Sequence, residues 1–332
     1  MTKRVAMRQA VPEDLPALRA LAQASLVHDS DAEAIVELLW SSAADDCRIV
    51  LEHTDTAIGT ASSGGTRAAD TTQVIGFALG SLRPAQDAMP ATGHIELIIV
   101  DPEHRERGHG RELIAELERR LIAADATRLR IRGNPPHFAW PGIDIRYTPA
   151  VCMAAAAGYE RLLDCNSMLV DLAAADLATD KDEQRLTDAG IEVRRGRPED
   201  EHALRTWCDE EFGGTWGQEA AMALRKSPPT LHVAVRDGAY LGFAGHGMQR
   251  ADMFGPMGTA EAARGHGIGA VLLRRCLADQ RDAGITVAEI GWVGPARFYS
   301  KTVGARLGRV FWAFEKSVAF EKPVAAEKPV AP

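Results

Sequence analysis

Nowhere in its 332 residues does the sequence hold an apolar run long enough to span a membrane. Its opening Met1-Thr-Lys-Arg also lacks the apolar centre of a secretion signal, so a soluble, cytoplasmic chain is the expectation. Cysteine is scarce. Cys47, Cys152, Cys165, Cys208 and Cys276 are odd in number and scattered, with no Cys-x-x-Cys among them. That excludes a disulfide framework or a zinc site from the reading and leaves reduced, mostly buried thiols. Positive charge is in deficit as well. Lys and Arg total 38 against 46 Asp and Glu, a net charge of −8, which argues against nonspecific nucleic-acid binding and suits a cationic amine as substrate. What remains, 46% apolar and 25% charged residues, is an ordinary globular composition, and the length accommodates two domains with separate cores.

Two stretches organise the rest. In the first, His94-Ile-Glu-Leu-Ile-Ile-Val100 reads as an apolar strand, Asp101-Pro102 as a turn, and Arg105-x-x-Gly108-x-Gly110 as the start of a helix. In the second, Arg264-x-x-Gly267-x-Gly269 repeats the arginine and the paired glycines. A glycine turn feeding a helix start holds phosphate physically: unpaired N–H groups point outward, the helix dipole favours negative charge, and glycine permits close approach. Arginine adds charge-assisted contacts to the same oxygens. Neither copy has the lysine of a Walker loop. Gly265-x-Gly267-x-x-Ala270 fits a dinucleotide fingerprint, but Leu113 breaks that pattern in the first copy and no apolar strand directly precedes Gly265.

Arg-x-x-Gly-x-Gly after a strand resembles the coenzyme A pyrophosphate loop of the GNAT superfamily of N-acetyltransferases, and Ile99-Val-Asp-Pro-Glu-His-Arg105 resembles the wording that precedes it there. Gly291-Trp-Val-Gly-Pro-Ala-Arg-Phe-Tyr-Ser-Lys-Thr-Val-Gly-Ala305 is similar to the family's fifth strand and following helix. The resemblance implies a tandem protein of two mixed α/β domains, each a twisted mixed sheet flanked by helices. It implies acetyl-CoA as cofactor. One site would comprise Ile98, Val100, Arg105, Glu106, Arg107, Gly108, His109, Gly110 and Arg111; the other, Met257, Thr259, Arg264, Gly265, His266, Gly267, Ile268, Gly269 and Ala270.

Along the chain, Val5–Pro12 opens with a strand, and Leu15, Leu18, Leu21 and Ala22 have helical spacing. Thr54–Thr72 reads as a loop rich in Gly, Ser and Thr, and Gly133–Asp144, with three prolines, as a rigid loop that either covers a sheet edge or walls a pocket. Pro-Glu-Asp at 12–14 recurs at 198–200 and independently supports a duplicated domain. The resulting division is an N-terminal domain over 1–172, a linker over 173–190, a C-terminal domain over 191–316 and a disordered tail over 317–332.

Amide formation from a thioester requires a held donor, a polarised carbonyl, a neutral amine and, where useful, a proton for the leaving thiolate. No metal is required, and His104 and His109 lack the partners of a metal site. Tyr299 lies where the family commonly places its acid, although the residue would also suit a packed core position. Glu96 lies where family members often carry a general base, sharing a strand face with His94, and it equally fits a solvated edge. Counting back from the loop, the second domain has Gly255 there, leaving His246, Asp252 and Glu289 as open choices for a base. The expected activity is acetyl transfer to a primary amine of a small molecule, with no nucleic-acid or membrane partner. An acyl-CoA-binding sensor without turnover and a protein N-acetyltransferase are the alternatives.

Overall fold

The computed structural model describes residues 3–55, 71–86 and 89–318. In chain order the first half holds β1 (Lys3–Gln9), α1 (Leu15–Ser25), α2 (Ala32–Ser42), β2 (Arg48–Asp55), β3 (Thr71–Arg83), β4 (Thr92–Val100), α3 (His109–Ala123), β5 (Arg128–Ile131), β6 (Ile143–Asp144), α4 (Thr148–Ala156) and β7 (Glu160–Asp171). The second holds α5 (Asp180–Asp188), β8 (Glu192–Arg195), α6 (Glu201–Glu211), α7 (Trp216–Leu224), β9 (Leu231–Arg236), β10 (Ala239–His246), β11 (Met253–Thr259), α8 (Ile268–Asp282), β12 (Val287–Ile290), α9 (Ala296–Val303) and β13 (Arg306–Ser317). Most of the loop expected over Thr54–Thr72, and the tail from residue 319, lie outside the described residues.

Two compact units form, and they are not successive stretches of chain. One contains the chain up to Arg132, Thr148–Leu162 and the chain from Ala313; the other contains Gly133–Tyr147 and Leu163–Trp312. In the first unit β1, β2, β3 and β4 pair antiparallel in order, β5 joins β4 in parallel, and the end of β13 pairs antiparallel with β5. The second repeats the plan: β8, β9, β10 and β11 antiparallel, β12 parallel to β11, and β7 antiparallel to β12. Each sheet therefore takes its last strand from the other half of the sequence.

The same local chemistry starts both units. Pro12 and Pro198 each open a helical turn after an extended residue, and Asp14 and Asp200 accept the N–H of Val11 and Arg197, each at 2.8 Å. Arg8 then forks onto Asp14 at 2.8 and 2.7 Å, and Arg194 onto Asp200 at 2.6 and 2.8 Å. The hydrogen-bonded Arg194 guanidinium holds the Asp200 carboxyl down to about 2.

One face of each sheet is covered by the helix that follows the glycine loop. In the first unit Leu113, Leu117 and Leu121 of α3 are fully buried, and side-chain atoms at Gly76, Gly80 and Gly93 would collide with them. In the second, Val271, Leu272, Cys276 and Leu277 of α8 pack with Ala234, Ala244, Phe254, Ala288 and Ile290 of the strands. On its other face α6 and α7 bury Leu204, Cys208, Ala220 and Leu224 against Leu231, Val233 and Phe243.

Candidate coenzyme and acyl-transfer sites

β4 and β5 run side by side only from Thr92–Ile95 against Arg128–Ile131, after which β4 continues from Glu96 to Val100 paired with β3 and without β5. In the second unit Met253 and Phe254 pair with Glu289 and Ile290, and β11 then continues from Gly255 to Thr259. The parting of two parallel strands leaves backbone donors and acceptors facing a gap, which an extended, amide-bearing ligand can occupy as a strand would.

A bulge marks the parting in both units. Gly80 pairs with Ile95 and Leu79 with Leu97, so Glu96 is the extra residue. His246 pairs with Phe254 and Ala244 with Met257, which sets Gly255 and Pro256 opposite Gly245. The register thus places Gly255 at the position matching Glu96. It also interrupts the regular alternation by which His94 and Glu96 were expected to share a face. Both Glu96 oxygens are shielded from solvent, and the carboxylate adds to the burial that pushes the Cys47 thiol up to about 11. Burial also pushes His94 down to about 3, so its neutral ring donates from Nδ1 to the Arg132 carbonyl at 3.2 Å.

Past each bulge the chain turns into its glycine loop. Gly108 (φ 90°) caps α3 and Gly267 (φ 81°) caps α8, both left-handed, where a Cβ is disfavoured. The first intrahelical acceptors are Gly108 O, for Arg111 and Glu112, and Gly267 O, for Ala270 and Val271. This leaves the amides of His109, Gly110, Ile268 and Gly269 at the helix starts without an intrahelical partner. Glu106 holds φ 63° where the second loop has Gly265 at φ 88°. Arg105 turns back to the Val100 carbonyl at 3.1 Å and Arg107 to that of Glu103 at 2.9 Å; Arg111 and Arg264 are exposed. His109 Nδ1 lies 3.1 Å from Glu112, and His266 Nδ1 3.2 Å from the Ala263 carbonyl.

Of the residues expected at the second site, Gly269, Met257 and Thr259 come together. A Cβ on Gly269 would lie 3.4 Å from Met257, 3.5 Å from Thr259 and 3.6 Å from Phe298, so loop, outer β11 and α9 face one space. In the first unit Gly110 faces α4, where a Cβ would come within 2.8 Å of Met153 Sδ. Ile98 and Val100 lie on outer β4, paired with Ala78 and Gly76.

Tyr299 follows Phe298 on α9 and is 7% exposed. Its ring meets Phe298 at 5.2 Å and Phe254 at 6.3 Å, both near edge-on. Phe254 is the last β11 residue paired with β12, so this contact sets Tyr299 where the gap begins. Burial pushes the phenol up to about 12, which keeps it protonated at neutral pH. Helix α4, Thr-Pro-Ala-Val-Cys-Met-Ala-Ala-Ala, carries no tyrosine.

All three open choices for a base are tied into ion networks, Asp252 through Arg250 at 3.6 Å. Glu289 contacts Arg250 at 2.5 Å and Arg309 at 3.3 Å; burial pushes its carboxyl up, but the two guanidiniums outweigh it and hold it below its ordinary value. His246 lies 3.4 Å from Asp279, which also receives His232 at 2.8 Å and Arg195 at 2.7 Å. Asp252 is raised by burial. Sequence reasoning missed Glu219, a carboxylate 5% exposed on α7 and held by Thr215 at 2.9 Å and Gln249 at 3.1 Å. Burial pushes it up to about 7; the available signal was a lone acid within Trp-Gly-Gln-Glu-Ala-Ala-Met-Ala-Leu.

The Acetyltransferase (GNAT) family description matches residues 15–137. The mycothiol acetyltransferase of Thermomonospora curvata is 30% identical over 280 residues, 80% of each chain. The chain belongs to the GNAT family and is an acetyltransferase; members of that family use acetyl-CoA. Among solved structures, a tandem GNAT protein from the clavulanic acid biosynthesis pathway superposes with a TM-score of 0.62 at 18% identity, covering 97% of this chain and 100% of its own. A GCN5-related N-acetyltransferase from Sphaerobacter thermophilus gives 0.64 at 17%, with 94% and 95% coverage. The glucosamine N-acetyltransferase region of a fungal multi-domain β-N-acetylglucosaminidase gives 0.73 at 16%; there 95% of this chain spans 38% of the longer protein. At such identities these likenesses show the fold alone. Among the described residues no helix is long and apolar enough to cross a membrane.

Proposed function

We propose that the chain transfers the acetyl group of acetyl-CoA to a primary amine of a small molecule, and that the second unit carries most of the catalysis. The observation behind this is Tyr299, a protonated phenol at the start of the strand gap, one residue from the Phe298 ring that faces Gly269. The residues present fit the coenzyme. The amides of Ile268 and Gly269 suit its pyrophosphate, and the open edge of Gly255–Thr259 suits its amide-bearing arm. Bound there, acetyl-CoA supplies an activated acyl thioester. Backbone N–H groups of outer β11 polarise the acyl oxygen, and Tyr299 Oη delivers its proton to the departing sulfur. The first unit keeps a loop of the same design and the acid Glu96, without a phenol on α4.

A small acceptor is supported by the mycothiol acetyltransferase at 30% identity. The test is thiol release from acetyl-CoA over a panel of small primary amines, the substrate of the mycothiol enzyme included, with products identified by mass. Release with one amine class is expected. Intact coenzyme binding without release for any amine would favour the sensor, and acetylation confined to peptides would favour a protein substrate.

A further inference from the structure

We infer that Arg185, on the helix between the two sequence repeats, is a phosphate-binding residue of the second coenzyme site, an inference that rests on reading the Gly267–Gly269 loop as that site. The starting point is a difference in charge between the loops. The first, Arg105-Glu-Arg-Gly-His-Gly-Arg111, carries three arginines; the second, Arg264-Gly-His-Gly-Ile-Gly-Ala270, carries one. A cation from elsewhere stands at the second. Arg185 Nη1 donates to the His266 carbonyl at 2.8 Å, and a Cβ on Gly267 would lie 2.7 Å from Arg185 Nη2. The guanidinium therefore lies on the peptide between His266 and the glycine that caps α8.

Helix α5 is fixed there by ion pairs with α8, Asp182 to Arg274 at 3.0 Å and Glu183 to Arg275. Arg185 also donates from Nη2 to Asp182 at 3.2 Å, so two of its five N–H groups are engaged and others remain. Its side chain is 53% exposed, open to a ligand from solvent. The contact has a physical purpose at an anion site: it neutralises a carbonyl oxygen that would otherwise repel phosphate, and it brings a delocalised cation to the amides of the helix start. Among the described residues the equivalent carbonyl of the first loop, that of Arg107, receives no such arginine.

The test measures binding of coenzyme A and of 3′-dephospho-coenzyme A by calorimetry on the full chain, with Gly110→Glu in every protein so that only the second site is read. Arg185→Gln keeps a donor for the His266 carbonyl and removes the charge. It should weaken coenzyme A by about five- to tenfold, the scale of one half-exposed charge-assisted contact, and the deficit should shrink as salt is added. Equal loss for both ligands places the contact at the pyrophosphate, and loss confined to coenzyme A places it at the 3′-phosphate; either supports the assignment. Unchanged affinity in Arg185→Gln, or a loss indifferent to salt, overturns it. Gly269→Glu separates the two readings. If it abolishes binding while Arg185→Gln does not weaken it, only Arg185 is dismissed; if it too binds normally, the loop reading fails and this inference falls with it.

Discussion

Replacing Tyr299 by phenylalanine removes one hydroxyl and little else. The ring packs against Phe254 and Phe298, contacts that phenylalanine reproduces, and the hydroxyl makes no hydrogen bond among the described residues. Stability should therefore change by less than about 0.5 kcal/mol, because no cavity opens and no buried partner is orphaned. Turnover should behave differently. A positioned acid contributes about 10²–10⁴ in rate, or roughly 3–5 kcal/mol of barrier. Acetyl-CoA affinity should hold, since the coenzyme contacts assigned to the second unit lie on β11, the glycine loop and α5. The assay pairs steady-state thiol release with thermal melts and coenzyme calorimetry on the same samples. Near-normal turnover in Tyr299→Phe would refute the assignment, and a joint fall in turnover and melting temperature would reduce Tyr299 to a packing residue.

Glu96→Gln should be milder than Tyr299→Phe in the same assay; the reverse ranking, with Glu96→Gln inactive and Tyr299→Phe near normal, would move the active centre to the first unit. Glu219 predicts a pH-dependent stability. Its folded value of about 7 lies above its ordinary 4.5, so its favourable contribution is complete below about 4.5 and lost as pH rises through 7, a swing of order 3 kcal/mol at 1.36 kcal/mol per pH unit. Glu219→Gln should therefore gain about 2 kcal/mol at pH 8 and nothing at pH 4 in denaturant melts, less if the new amide meets Gln249 poorly; equal effects at both pH values would contradict it.

The features legible in the sequence were those encoded by residues adjacent along the chain. Pro-Glu-Asp at 12–14 and 198–200 announced a repeated unit, and each copy opens a matching helical turn. Both glycine loops cap helices as their spacing implied. What stayed hidden depends on distant partners. The stretch 173–190 has a linker's composition, yet Asp182 and Glu183 meet arginines on α8, and Leu186 is buried. The bulge could be counted to but not seen, because Glu96 and Gly255 share a register position and no chemistry. That each sheet closes with a strand from the other half was equally silent, since alternation in β7 and β13 names a strand and not its neighbour.

On the proposed assignment the two copies divide an acid and a base between them, and that division has a kinetic consequence. The second unit has Tyr299 on α9 and glycine at the bulge; the first has the bulge carboxylate and no phenol on α4, its Tyr159 lying buried beyond that helix. At the second site no bulge carboxylate takes the amine's proton, so the attacking species is the fraction already neutral in solution. For an amine as basic as lysine, pKa about 10.4, that fraction is about 4 × 10⁻⁴ at pH 7; for an α-amine near 8 it is about one tenth. The rate should then climb about tenfold per pH unit until the amine's own pKa. The acid imposes no early ceiling, because burial holds Tyr299 up to about 12. A rising limb that follows the pKa of each amine tried, with no fall below about pH 10, would mark Tyr299 working without a protein base. A limb fixed near one value whatever the amine would instead report a carboxylate or imidazole of the chain, and Asp252, raised by burial beside the parting strands, would be the first to replace.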